Sequence, residues 1–263
     1  MQRLTDLAYW DENWWNRKRP QRLTWFYRDM DYETVRLLAG KAKHDRVRAL
    51  EVGAGGSRIL PYLARKFGFE IFGSDFSLAG CRLARANAAL QGVPLRTVCE
   101  DLFQSSLAPE SFDLVYSAGL VEHFDDTRAA VKEHFRLTKP GGRLVIIVPN
   151  FQGAQGRIWK RLAHPLWKVH RVFGPEELAA SFRAFGLSEV RTGYLGSFFI
   201  HVGMGSEWTG VKRWPKWFQF SVYASIRLTN ALISLLFRLS PLRPHTRTLS
   251  PLFFTEGVRP TAE

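Results

Sequence analysis

Residues 49–57 read Ala-Leu-Glu-Val-Gly-Ala-Gly-Gly-Ser, an apolar run that delivers a glycine-rich turn. Glycine there takes backbone angles closed to other residues and lets main-chain amides approach a ligand. Two spaced acids follow. Asp75, in Ile71-Phe72-Gly73-Ser74-Asp75-Phe76-Ser77, stands about two dozen residues beyond the turn, the spacing of a carboxylate that accepts both hydroxyls of a ribose. Asp101, in Val98-Cys99-Glu100-Asp101-Leu102, closes a third apolar run and suits a hydrogen bond from an adenine amino group. The dinucleotide fingerprint G-x-G-x-x-G breaks at Arg58, and no lysine follows at phosphate-loop spacing. His123, in Ala118-Gly119-Leu120-Val121-Glu122-His123-Phe124, is a candidate general base, with a structural histidine as the alternative. His164, His170 and His201 are further candidates, and no spacing among the histidines has a metal-site pattern, so no metal is expected.

These residues need a scaffold that brings strand ends together. Between about residues 47 and 195, short runs rich in Val, Ile and Phe alternate with helical patterns, the signature of βαβ units and a doubly wound parallel sheet. Expected strands are Arg48–Val52, Glu70–Ser74, Leu95–Cys99, Phe112–Ser117, Arg143–Val148 and Ser188–Tyr194. Helices are expected from near Ser57, over Ser77 to Leu90 with Gly92 beyond its end, through Val131 to Leu137, and over Pro175 to Phe185. Pro140-Gly141-Gly142 is expected to stop one helix and turn the chain into the next strand. In such folds ligands bind at the carboxyl edge of the sheet, where the glycine turn and both acids fall.

The 263 residues, 46% hydrophobic, suffice for one sizeable domain with appendages. Two cysteines, Cys81 and Cys99, exclude a disulfide framework and a four-cysteine zinc site. The N-terminus lacks the apolar core of a signal peptide, so a cytoplasmic location is expected, peripheral membrane contact being compatible with it. Residues 1–40 are aromatic, with Trp10, Trp14, Trp15, Trp25, Phe26 and Tyr27, and read as a helical cap on a domain spanning 41–263. The formal charge is +13. No acid occurs from His134 to Pro175 or from Trp208 to Thr255. Such stretches favour anionic partners or form a solvated basic surface. Val222 to Leu239 is apolar, but Arg227, Thr229 and Asn230 interrupt it, so an amphipathic helix is expected rather than an integral span.

The five segments LEVGAGGS, FGSDFS, CEDLF, FDLVYSAGLVEHF and LTKPGGRLVIIVPN, in this order across about residues 48–150, resemble the class I S-adenosylmethionine-dependent methyltransferases, especially the UbiE/UbiG-like, type 11 group. Ser57 departs from the pattern, where many members carry a third glycine. The resemblance implies a Rossmann-like seven-stranded sheet of order 3-2-1-4-5-7-6, its last strand antiparallel, for which Ser250–Gly257 is the candidate. It also implies S-adenosylmethionine as cofactor. Glu51 would orient the turn; Gly53, Ala54 and Gly55 would face the methionine part; Asp75 would hold the ribose, and Asp101 with Leu102 the adenine. Phe76 would border the adenine, a core phenylalanine being the alternative. Ser117 and Ala118 would line the cofactor with main-chain groups.

Acceptor choice would fall to the decorations at 1–40, 150–174 and 196–247. Their aromatic and basic character suits a small-molecule or lipid-like acceptor with an anionic group met by Arg157, Lys160 or His170, with Arg161, Lys168 and Arg171 nearby. An RNA methyltransferase is the competing enzyme reading. A non-catalytic membrane-surface module that retains the fold is the competing reading of another class.

Overall fold

In a computed structural model, the structure describes residues 2–15, 19–23, 29–40, 46–199, 214–239 and 245–261. Seven strands form one sheet: β1 (Arg48–Val52), β2 (Glu70–Asp75), β3 (Arg96–Cys99), β4 (Phe112–Ala118), β5 (Thr138–Pro149), β6 (Ser188–Leu195) and β7 (Leu252–Val258). Their order is β3-β2-β1-β4-β5-β7-β6. β1 pairs in parallel with β2 and β4, β2 with β3 and β4 with β5, whereas β7 runs antiparallel to β5 and β6. The expected strands fall where the sequence places them, with ends within a residue or two except that β5 begins at Thr138 rather than Arg143.

Alternation explains the two-faced core, since successive side chains of a strand point to opposite faces. Ala49, Tyr116, Val145 and Ile147 pack on one face with Leu60 and Leu63 of α3 (Ile59–Phe67) and Leu38 of α2 (Asp29–Ala39). Leu50, Val115, Leu144 and Ile146 pack on the other, with Val131 of α5 (Thr127–Leu137) and Leu178 and Phe182 of α8 (Pro175–Ala184). Burial on both faces is why these strands are nearly continuous in apolar residues.

Two local expectations are corrected. β5 begins at Thr138, beside Phe112, ahead of the expected Arg143, and Pro140-Gly141-Gly142 turns the chain within it: the run from Thr138 to Arg143 bulges opposite Phe112 to Leu114, with Gly141 at φ 74°. Main-chain bonds from Gly141 N to Arg259 O and from Arg259 N to Gly142 O tie this bulge to the chain after β7. The helix expected near Ser57 begins at Ile59, with the Ser57 hydroxyl donating to Glu51 and accepting from Leu60 N at 3.3 Å. Ser77 is the N-cap of α4 (Leu78–Leu90), accepting from Gly80 N at 3.1 Å.

Outside the sheet lie α1 (Leu7–Trp15), α6 (Ala154–Leu162), α7 (His164–Lys168) and α9 (Lys216–Leu239). α1 packs on α4 and α9 touches α2. By length and composition alone, Lys216–Phe237 is long and apolar enough to cross a membrane, which the polar interruptions had argued against. Trp25, Phe26, Tyr27, His201 and Trp208 lie outside the described residues.

Candidate active site

β1 ends in the glycine turn, and the turn is held from β2. Gly53 N and Ala54 N both donate to Ser74 O, at 2.8 and 2.9 Å. Gly53 has φ of 75°, a left-handed conformation that favours glycine. A side chain at Gly55 would meet Asp75 Oδ2, at 2.7 Å from its Cβ, and the Trp14 ring. The turn is thus a backbone cradle that a Cβ would fill.

Asp75 closes this cradle. Its Oδ2 accepts from Gly55 N at 2.6 Å and its Oδ1 from Ser77 N at 2.8 Å. Each oxygen keeps acceptor capacity for a ligand hydroxyl. Burial pushes the carboxyl up to about 6, against the two amide bonds that pull it down. Glu51 lies beneath the turn, accepting from the Ser57 hydroxyl and from Tyr116 OH at 2.7 Å. Burial raises it to about 7, with the two hydroxyl bonds opposing.

The cleft at this edge is lined by Glu51, Gly53, Gly55, Asp75, Phe76, Leu102 and Ala118, together with Arg3, Trp10 and Trp14 from the N-terminal segment. Ala54 and Ser117 are buried under the turn and within β4. Asp101 caps the turn that follows it, accepting from Phe103 N at 2.9 Å, and pairs with Arg3. The Arg3 guanidinium covers the Phe76 ring at 4.4 Å. Arg3 therefore stands against two of the three residues to which the adenine was ascribed, Asp101 and Phe76. A glycine cradle, a ribose-type acceptor and a second acid flanked by apolar side chains fit a charged adenosine derivative such as S-adenosylmethionine.

Beside the cleft, a short helical turn at Val121–His123 follows β4. His123 Nδ1 lies 3.0 Å from Val169 O. A carbonyl only accepts, so Nδ1 carries the proton and Nε2 the lone pair. Burial, then the neighbouring His170, lowers His123 to about 3. Trp10 meets its ring edge-on at 5.0 Å, and His170 lies 4.4 Å away between Phe151 and Trp159. Glu122 is fully buried, neither carboxyl oxygen has a hydrogen-bond partner among the described residues, and burial pushes it up to about 8. Ligand atoms of Glu122, His123 and His170 lie within 4.8 Å of one another. Linear spacing hid this cluster, because the third member comes from a segment beyond β5.

Arg157 and Lys160 are exposed on α6, with Lys160 over the Trp167 ring at 5.0 Å. His164 is exposed and stacks on Trp167. Several other basic residues are paired within the chain: Lys139 with Asp113, Arg171 with Glu177, and Arg143 and Arg191 with Glu256. Sequence reasoning missed Arg3 and Trp14 as parts of the cleft, and Tyr116 as the buried hydroxyl partner of Glu51 beneath it. The aromatic density of residues 1–15 was the only signal for the first two.

Residues 50–146 match the model of a methyltransferase domain family. The ubiquinone biosynthesis O-methyltransferase of Cereibacter sphaeroides is 30% identical over 144 residues, covering 50% of this chain and 57% of that protein. That of Maricaulis maris is 26% identical over 162 residues, covering 57% and 63%. The chain thus spans less than two thirds of the length of these curated relatives. Among solved structures, a phosphoethanolamine N-methyltransferase of Haemonchus contortus, in complex with phosphomonomethylethanolamine and S-adenosylhomocysteine, superposes with a TM-score of 0.56 at 17% identity, covering 88% of this chain and 52% of that one. At that identity the likeness speaks for the fold. The family match, the relatives and the strand order agree: residues 50–146 carry a methyltransferase domain similar to the class I S-adenosylmethionine-dependent methyltransferases of the UbiE/UbiG type.

Proposed function

We propose that the protein transfers a methyl group from S-adenosylmethionine to a small, lipid-like acceptor that carries an anionic or readily ionised group. The observation that carries this reading is the aromatic cluster behind the cleft wall, in which Trp10, itself a lining residue, packs on His123, and His123 on His170 with Phe151 and Trp159. An apolar wall with a few convergent polar groups suits a compact ligand. Relatives named for ubiquinone and tocopherol O-methylation support the acceptor class.

When bound, the cofactor supplies an electrophilic methyl on a sulfonium, so the protein's main task is alignment. Asp75 and the glycine turn fix the adenosyl and amino-acid parts. His123, held neutral by burial, offers its Nε2 lone pair to a donor on the acceptor. A histidine of such low basicity takes a proton only from an acidic hydroxyl, so its larger role is to orient the nucleophile. His170 packs against His123 at 4.4 Å and supports its ring. Arg157 and Lys160 stand as candidates to meet the anionic group.

Methylation of RNA is less well supported, since intramolecular pairing of Lys139, Arg143 and Arg171 breaks up the basic stretch that a nucleic acid would follow. A peripheral membrane location agrees with the exposed apolar side of α9. The test is transfer of labelled methyl from S-adenosylmethionine to a panel of prenylated phenols, phosphorylated amines and total RNA. Label in a small acceptor supports the reading. Label in RNA alone contradicts it.

A further inference from the structure

α9 is amphipathic in the wrong sense for water. Its deeply buried positions include two polar residues, Asn230 and Ser234, at 4% and 3% exposure. On the opposite side Leu228, Leu232, Leu235 and Leu239 recur at helical spacing and are exposed, Leu239 at 77%. At the beginning of the helix Trp217 and Phe220 are 70% and 69% exposed. A continuous leucine side in water forfeits the burial that normally stabilises such residues, and a patch of this kind marks an interaction surface.

Charge identifies the partner. Trp208 to Thr255 contains no Asp or Glu, while Lys216, Arg227 and Arg238 recur every eleven residues. Eleven residues are about three helical turns, so these positions run along one flank of the leucine side. Aromatic residues at one end, a leucine side and a basic flank without acids form the pattern of a helix lying in the headgroup plane of an anionic bilayer.

The strand ends exclude the simplest alternative placement. The chain leaves the sheet at Leu195 of β6 and returns at Leu252 of β7, which pair with each other, and Leu252 also pairs with Pro149 at the end of β5. The segment bearing α9 therefore departs from and rejoins the carboxyl edge. One crossing of a membrane by α9 would need a second crossing to return, either through residues 196–213, which carry Glu207, Lys212 and Arg213, or through the short run 240–251, which carries Arg243, His245 and Arg247, and neither is long and apolar enough for it.

We propose that α9 docks this protein on an anionic lipid surface through its leucine side, with the carboxyl edge of the sheet, and so the cofactor cleft, turned toward the membrane. This inference stands on α9 and the strand ends, independently of methyl transfer.

The test is flotation of the full chain with vesicles of phosphatidylcholine, with and without phosphatidylglycerol. Three forms are compared: wild type, Leu228→Glu/Leu235→Glu, and Lys216→Gln/Arg227→Gln. Both substituted pairs lie on exposed positions, and retained S-adenosylhomocysteine binding by calorimetry reports that each variant is folded. The wild type is expected to float with the anionic vesicles, the glutamate variant to remain unbound, and the glutamine variant to bind about fivefold more weakly per charge removed. Failure of the wild type to float, or flotation unchanged by the glutamates, overturns the proposal. A wild-type dimer by light scattering that the glutamates dissociate, without vesicle binding, assigns the leucine side to a second copy of the chain instead.

Discussion

The Gly55 amide donates a 2.6 Å hydrogen bond to Asp75 Oδ2, tying the turn after β1 to the end of β2. The carboxylate that would hold a ribose is thereby one of the groups that shapes the backbone cradle. Burial raises its pKa to about 6, so cofactor affinity is expected to depend on its ionisation. S-adenosylhomocysteine binding should weaken by about tenfold for each pH unit below 6 and level off above it. Calorimetric titration between about pH 5 and 7.5 measures this; a flat profile speaks against ligand contact at Asp75.

Arg3 pairs with Asp101 and covers Phe76, the residues ascribed to adenine. Cofactor entry would have to displace this guanidinium. Arg3→Ala removes a partly exposed ion pair and a cation–π contact, together worth about 1 kcal/mol. Affinity for S-adenosylhomocysteine should rise about fivefold. A fall in affinity would show instead that Arg3 closes over the bound ligand.

Much of this site was legible in the sequence because it depends on local patterns. The glycine turn, Asp75 and Asp101 each follow an apolar run, and a parallel sheet brings such ends to one edge whatever the loops do. Gly141 and Gly142 announce a turn, but that the turn is a bulge inside β5 depends on pairing with Phe112 and Leu114 and on Arg259, far along the chain. The approach of His170 to His123, and of Arg3 and Trp14 to the turn, rests on tertiary packing that no periodicity encodes. The buried Asn230 and Ser234 reverse the usual pattern of α9, and a sequence reader has only the number of leucines to go by.

The Glu122 carboxyl oxygens have no partner in another residue among the described ones, and burial pushes the carboxyl up from 4.5 to about 8. A carboxyl raised in the folded state contributes stability below its unfolded pKa and loses it as pH rises toward the folded value. Stability should therefore decline between about pH 4.5 and 8. Glu122→Gln should remove this dependence and stabilise the protein at neutral pH by roughly 3 kcal/mol if the amide is accommodated as the protonated acid is. Urea unfolding at several pH values compares the two slopes, and identical slopes would refute the assignment.

His123→Gln keeps a side chain of similar reach without the imidazole lone pair. Cofactor affinity should stay within about twofold, while methyl transfer falls on the order of a hundredfold, the range of a positioned acid–base group. Equal losses in binding and turnover would place His123 in the cofactor site rather than beside the acceptor.

The central claim, that the cleft between the glycine turn and Asp75 holds S-adenosylmethionine, is tested most directly by calorimetric titration of wild type and Asp75→Ala with S-adenosylmethionine and S-adenosylhomocysteine. The account predicts micromolar-range binding by the wild type, roughly −8 kcal/mol, and its loss in a variant that still unfolds cooperatively. No binding by well-folded wild type, or unchanged binding by Asp75→Ala, would contradict it.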